Sequence, residues 1–341
     1  MALEKTVLTK EKIIDLLNIN YGIKVLSVKK ITAQTANCYI IFDGVMRYFL
    51  KEFSSWKSIE NLYLEEQLAN FLSTKKFPVT RFISTFSNQV FFVYQGHFIS
   101  LQEYVEGETY NNGLPLKMLN NTAHILGKLH NVLQGYKLSE IMGKYWINSY
   151  SPQLLMAKYE ALTVLAENSP DDVNCEQIIS DLDYKKGLVQ RFTDYKKYFD
   201  GIKYSASHGD FHNGQLIWDG DNVKAVIDFE SAGIVPIAWE IIRSYSISFS
   251  RNLDANIDIE GLCQYCYEYM KYFPLTKNDL SAMPYIYLFQ LMRSEYGYPQ
   301  YFLSDFETKD QLLRFAFWKT KMCREIELKA KEISKALENL V

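Results

Sequence analysis

Two aspartates eighteen residues apart constrain this chain more than anything else in it. Asp210 lies in His208-Gly209-Asp210-Phe211-His212-Asn213-Gly214-Gln215, and Asp228 lies in Ala225-Val226-Ile227-Asp228-Phe229-Glu230. A carboxylate on a loop can orient and deprotonate a hydroxyl, and a second at the end of a short apolar strand can hold the magnesium that bridges nucleotide phosphates. Between them the pattern reads as a hairpin: a strand over Gln215 to Trp218, a turn at Asp219-Gly220-Asp221-Asn222, and a return strand from Val223 to Phe229. That pairing predicts Gln215 and Asp228 on adjacent strand ends. The side-chain amide oxygen of Gln215 is a hard donor and a suitable second metal ligand.

Protein kinases carry their base in H-R-D-x-x-x-x-N, and the fifth residue after Asp210 is Gln215 in place of that Asn. More closely, the chain resembles the aminoglycoside phosphotransferase and choline kinase superfamily, whose members show H-G-D-[LFY]-H-x-x-N or Q and then I-D-[FW]-E. The resemblance extends to Pro236-Ile237-Ala238-Trp239-Glu240-Ile241-Ile242-Arg243, with Glu240 where Asp is commoner. It implies an α+β, bilobal, protein-kinase-like fold. Residues 1–104 would form a small antiparallel-sheet N-lobe, with a hinge near 101–106. Residues 105–341 would form a larger, mainly helical C-lobe with the catalytic loop, metal site and acceptor pocket. The implied reaction moves the γ-phosphoryl group of ATP or GTP to a hydroxyl of a small molecule. In it Asp210 acts as base, Gln215 and Asp228 hold Mg2+, and His208, His212 and Glu230 support them.

Further residues take roles from the same resemblance. Arg47 to Phe53 alternates like a strand after a turn at Asp43-Gly44, and Lys51 on it stands where such enzymes keep their phosphate-binding lysine. Ile59, Leu62, Tyr63, Leu68, Phe71 and Leu72 form a stripe of helical period. On that helix Glu65, in preference to Glu66, is the expected partner of Lys51. The nucleotide-covering loop, Thr32 to Ile40, contains Asn37 as the family does, but Ala33 and Gln34 replace its glycines, which predicts looser phosphate contact. Gln102, Glu103 and Tyr104 fall at the hinge whose backbone reads the adenine edge.

Composition fits a chain with a sizeable core: 341 residues, 48% hydrophobic, 15% aromatic, net charge −3. The near-neutral balance argues against a nucleic-acid partner. No apolar run is long enough for a membrane span, and the start of the chain lacks an apolar signal core, so a cytoplasmic location is expected. The five cysteines, Cys38, Cys175, Cys263, Cys266 and Cys323, read as reduced thiols. Aromatic residues such as Tyr245, Tyr265, Phe289 and Tyr296 suit core packing or an amino-sugar-like acceptor, and the C-terminal segment is amphipathic with i,i+4 pairs Glu325–Lys329 and Glu327–Lys331. It would pack on the lobe or on a second copy, as monomer or homodimer. Two other readings compete: a non-catalytic kinase-like binding or assembly protein, and a metal-dependent hydrolase built on the alternating His208, Asp210 and His212.

Overall fold

The computed structural model describes residues 4–31, 36–136, 149–303 and 308–341, so Ala33 and Gln34 of the expected nucleotide loop lie outside the described residues. The fold is α+β, with an antiparallel sheet near the N-terminus and helices after it. The chain divides into two compact units, Met1–Glu108 with Gln215–Ser231, and Thr109–Gly214 with Ala232–Val341.

In the first unit, helix α1 (Lys10–Tyr21) starts where the Thr9 side chain accepts from the Lys12 amide, and stops at Gly22 in the left-handed region (φ 68°). The sheet contains β1 (Ser27–Ile31), β2 (Asn37–Phe42), β3 (Arg47–Glu52), β4 (Phe82–Ile83), β5 (Phe91–Tyr94) and β6 (His97–Glu103). Its order is β1-β2-β3-β6-β4, with β5 also paired to β6, all antiparallel. The β5–β6 turn places Gln95 and Gly96 both at positive φ, the geometry that matches the twist of a two-residue hairpin. Tyr39, Ile41, Leu50, Ile99 and Leu101 form one buried cluster with Ile13 and Leu17 of α1. Each such side chain removed from water contributes about 1.5–3 kcal/mol. Helix α2 (Ile59–Thr74) buries Leu62 against Phe53, Val90 and Phe91.

Residues 215–231 complete this unit. The strands β8 (Leu216–Asp219) and β9 (Asn222–Val226) pair antiparallel, the Val226 amide donates to Pro78 O, and Glu108 and Trp218 exchange both backbone hydrogen bonds. Close approach is built into the sequence here: a Cβ on Gly107 would lie 2.4 Å from Trp218 O.

The second unit is mainly helical. It contains α3 (Leu116–Leu133), α4 (Pro152–Glu167), α5 (Cys175–Arg191), α6 (Ile237–Phe249), α7 (Ile259–Met270), α8 (Lys277–Arg293), α9 (Tyr298–Leu303) and α10 (Lys309–Glu338), with a two-stranded ribbon of β7 (Tyr204–Ser207) and β10 (Gly233–Pro236). Helix α10 buries Met322, Ile326, Ala330, Ile333 and Leu337 and packs chiefly on α8. The expected Glu325–Lys329 pair forms at 2.6 Å, whereas Glu327 turns instead to Arg191 at 3.0 Å and Tyr184 at 2.7 Å, because tertiary partners outcompete an exposed neighbour on the same helix. Tyr245, Tyr265, Phe289 and Tyr298 are core residues. The described cysteines are all free thiols. Among the described residues, no helix is long and apolar enough to cross a membrane.

Candidate active site

In the first unit, charge concentrates around Lys51. Its ammonium, on a side chain only 6% exposed, lies 2.8 Å from Asp228 Oδ1 and 3.3 Å from Glu230 Oε2. Lys57, equally buried, reaches the other oxygen of Glu230 at 3.1 Å. Both lysines sit over the Phe53 ring, at 4.8 and 5.6 Å. Burial pulls the Lys51 ammonium toward neutrality, but Asp228, Glu65 and Glu230 outweigh it and hold the pKa well above the ordinary lysine value. Glu65 shares the same buried space without touching Lys51: no ion pair joins the two among the described residues, and Glu65 Oε2 is buried with no hydrogen bond. Burial pushes its carboxyl up to about 7 against the attraction of Lys51. Glu66 instead accepts from Asn70 on the same helix.

The hairpin explains where Asp228 comes from. The Ile227 amide donates to Gln215 O at 3.0 Å, so the two metal-ligand candidates lie one residue apart across the strand ends. Asp228 then adopts φ 65°, a left-handed conformation costly for most side chains and tolerated best by Asp and Asn. The remaining candidates of this unit have structural partners. Asn37 is buried and its amide donates to Glu4 O at 3.0 Å. Gln102 is buried within β6, the Glu103 amide donates to Arg81 O at 2.9 Å, and the Tyr104 ring faces the Arg47 guanidinium at 5.9 Å.

In the second unit, Asp210 stands on the loop that leaves β7. Gly209 turns the chain at φ 77°, and the amides flanking Asp210, those of Gly209 and Phe211, donate to one oxygen of the fully buried Glu240 at 2.6 and 3.4 Å. The other oxygen of Glu240 is 3.3 Å from His130 Nε2, and His130 Nδ1 is 2.6 Å from the Tyr269 hydroxyl. Glu240, standing where the family favours Asp, is thus the anchor of the Asp210 loop. His208 and His212 bind within that loop: the Asp210 amide donates to His208 Nδ1 at 3.3 Å and the Gly214 amide to His212 Nδ1 at 3.1 Å. His212 Nε2 lies 3.8 Å from Asp210. These internal bonds tie the imidazoles to the loop backbone, and among the described residues no group of three His, Cys, Asp or Glu is placed to hold a metal.

Asp210 is ion-paired with Arg243, one turn beyond Glu240 on α6. Burial opposes ionisation of this carboxyl, but the Arg243 guanidinium and then His212 prevail and hold it well below the usual carboxylate range. Arg243 itself rests on the Trp239 ring at 5.6 Å.

A model of the phosphotransferase enzyme family matches residues 27–274, which spans β1 through α7 and includes every charged group above. The chain belongs to the phosphotransferase enzyme family. A homoserine kinase of Zymomonas mobilis is 24% identical over 226 residues, 65% of this chain, and the match spans 65% of that relative's length. Among solved structures, spectinomycin phosphotransferase in complex with ADP and spectinomycin is similar at a TM-score of 0.65 and 16% identity, covering 96% of this chain and 100% of that one. Amicoumacin kinase in complex with AMP-PNP and Ca2+ is similar at 0.63 and 12%, covering 95% and 94%. The phosphotransferase family pairs a nucleotide donor with a divalent metal, and the oxygen donors around Lys51 have the chemistry for one. Asp228 and Glu230, their side chains 29% and 24% exposed, already share a single cation, the Lys51 ammonium.

Lys57, Arg243 and His130 were not assigned site roles in the sequence reading. Arg243 closes the run Pro236 to Arg243 that carries the resemblance, and His130 ends Leu126-Gly127-Lys128-Leu129-His130, which resembles the family's L-x-x-L-H signature.

Proposed function

We propose that this protein is a kinase that transfers the γ-phosphoryl group of ATP or GTP to a hydroxyl of a small molecule. The observation that carries the reading is Asp210, held ionised by Arg243 on a loop whose flanking amides are pinned to Glu240. An anchored carboxylate of this kind orients a hydroxyl for in-line attack and takes its proton as the new P–O bond forms and the bond to the β-phosphate oxygen breaks. Lys51 neutralises phosphate oxygens, and in doing so leaves Asp228, with which it is paired in the structure. Gln215 and Asp228 would hold Mg2+, with Glu230 adjacent, and the ion would supply charge neutralisation to the phosphate oxygens. Glu65, whose charge already acts on Lys51, would steady it once Asp228 turns to metal.

The chemistry is mostly positioning and charge neutralisation. Calorimetric titration with ATP and with GTP, each with magnesium, tests the reading. Binding is expected to depend on magnesium and to fall by at least about tenfold in Asp228→Asn, the loss of a charge-assisted ligand. Equal binding with and without magnesium, or an unaffected variant, would overturn it.

A further inference from the structure

A chain of alternating charges runs through the surroundings of Lys51. Asp228 Oδ1 is 2.8 Å from the Lys51 ammonium, Lys51 is 3.3 Å from Glu230 Oε2, and Glu230 Oε1 is 3.1 Å from the Lys57 ammonium. Lys57 ends the chain, and among the described residues it has no other carboxylate. It is not a surface charge, since its side chain is 4% exposed and its ammonium lies over the Phe53 ring at 5.6 Å, the same ring that carries Lys51 at 4.8 Å. Its backbone is fixed as well. The Lys57 amide donates to Ser54 O at 3.0 Å, and the next residue, Ser58, caps α2 by accepting from the Asn61 amide at 3.3 Å. Phe53 is packed in turn against Leu62 of α2, so Lys57 reaches Glu230 from a fixed turn.

Lys51 cannot hold two carboxylates and a phosphate at once. To neutralise phosphate oxygens it has to leave Asp228 and Glu230, and a carboxylate in a partly buried place that loses its cation is costly. Asp228 would turn to the metal. Glu230, its side chain 24% exposed, has Lys57, which already holds the oxygen that Lys51 does not touch. The two lysines are not equivalent in this respect. Withdrawing Lys51 from the chain leaves Glu230 paired, whereas withdrawing Lys57 leaves Asp228 and Glu230 to share the Lys51 ammonium alone. That sharing would draw Lys51 back from a nucleotide, because both attractions act on it at short range.

We propose that Lys57 is a positioning residue for the phosphate-binding lysine: it keeps Glu230 paired, so that Lys51 can leave its carboxylates for the nucleotide. Lys57 then acts on the phosphates through Glu230 and Lys51 and makes no phosphate contact of its own. This deepens the kinase reading and rests on it. Its signature is dependence on Glu230: once that carboxylate is neutral, Lys57 has nothing to hold and its charge no longer matters to nucleotide binding.

The test is calorimetric titration of the full chain with ATP and with GTP, each with magnesium, on the parent and on four variants. Lys57→Met should weaken binding about fivefold, and Lys57→Arg, which keeps the charge, should stay within about twofold of the parent. Adding Lys57→Met to Glu230→Gln should change binding by less than about twofold relative to Glu230→Gln alone. A direct phosphate contact, or a role confined to folding, does not produce that coupling. Thermal melting of the nucleotide-free proteins shows which variants are folded. Should Lys57→Met not fold, the comparison in the Glu230→Gln background, where no carboxylate is stranded, decides by itself. Lys57→Met binding as tightly as the parent would overturn the proposal, as would Lys57→Arg binding as weakly as Lys57→Met. So would a loss from Lys57→Met that persists in the Glu230→Gln background. Failure of the parent to bind either magnesium nucleotide would instead remove the kinase reading beneath it, so the two failures are distinguishable.

Discussion

Replacing Glu240 by Ala leaves the Gly209 and Phe211 amides without their carboxylate and His130 without one of its partners. Hydrogen bonds to a charged group contribute about 1.5–3 kcal/mol each. The 2.6 Å bond from Gly209 takes the full value, and the 3.4 Å bond from Phe211 is near the limit of a useful interaction and takes a fraction of it. The loss expected is about 3–4 kcal/mol, which at about 2–4 °C per kcal/mol lowers the melting temperature by about 6–16 °C. Turnover should fall as well, because the released amides flank Asp210 and a misplacement of about 1 Å at a reacting group costs about 10²-fold. Glu240→Gln keeps one acceptor oxygen and loses the charge, so about half of the thermal loss is expected. Differential scanning calorimetry and steady-state kinetics on both variants read the two effects separately. A Glu240→Ala protein that melts within about 2 °C of the parent, with kcat within about threefold, would refute the anchoring argument.

Asp210→Ala should lower kcat by about 10²-fold or more with nucleotide binding retained, and unchanged turnover would remove Asp210 from its assigned role. Because the folded-state pKa of Asp210 is depressed, its ionised form stabilises the fold above its unfolded value near about 3.9, and that contribution is lost only as pH falls toward the folded value. Turnover in the parent should therefore show no acid limb from this group at pH 5 to 8, and Arg243→Ala, which removes the main cation, should bring one in. Glu65 has the opposite sign: its folded pKa is raised, so stability falls as pH rises from about 4.3 through about 7. Glu65→Gln should flatten the melting temperature across that window, and an undiminished slope would show that another group titrates there. Lys51→Met should weaken nucleotide binding by at least about tenfold through the lost phosphate contact, with Lys57→Met giving a smaller effect because Lys57, among the described residues, pairs with Glu230 alone.

Local chemistry made much of this molecule readable. The hairpin around Asp219 to Asn222, the α2 stripe, the alternation across β3 and the buried face of α10 are all short-range patterns, in which the period of the apolar residues and the turn residues decide the outcome. The loop around Asp210 was readable because its residue types and spacing carry the resemblance to the family. What did not show is what depends on distant partners. Nothing near Glu230 in sequence announces Lys57, 173 residues earlier. A buried lysine and an exposed one look alike until the fold places them. The resemblance assigns Lys51 to Glu65, whereas the structure pairs it with Asp228 and Glu230; the charges of all three carboxylates act on it, and only tertiary geometry selects which two touch it.

The return of residues 215–231 to the first unit has a consequence for synthesis. That unit lacks both metal-ligand candidates, Gln215 and Asp228, and the strand whose Val226 amide donates to Pro78 O until residue 231 has been made, 123 residues after Glu108. At about 5–20 residues per second the ribosome takes about 6–25 s over that interval. Through it the nascent sheet waits with Lys51 deprived of Asp228 and Glu230, two buried ammonium groups short of their carboxylates. A truncated product ending near residue 108 would stay in that state, so expression of the N-terminal segment alone should yield a chain that aggregates or is degraded, and co-expression of the missing piece in trans is the condition under which it should become soluble.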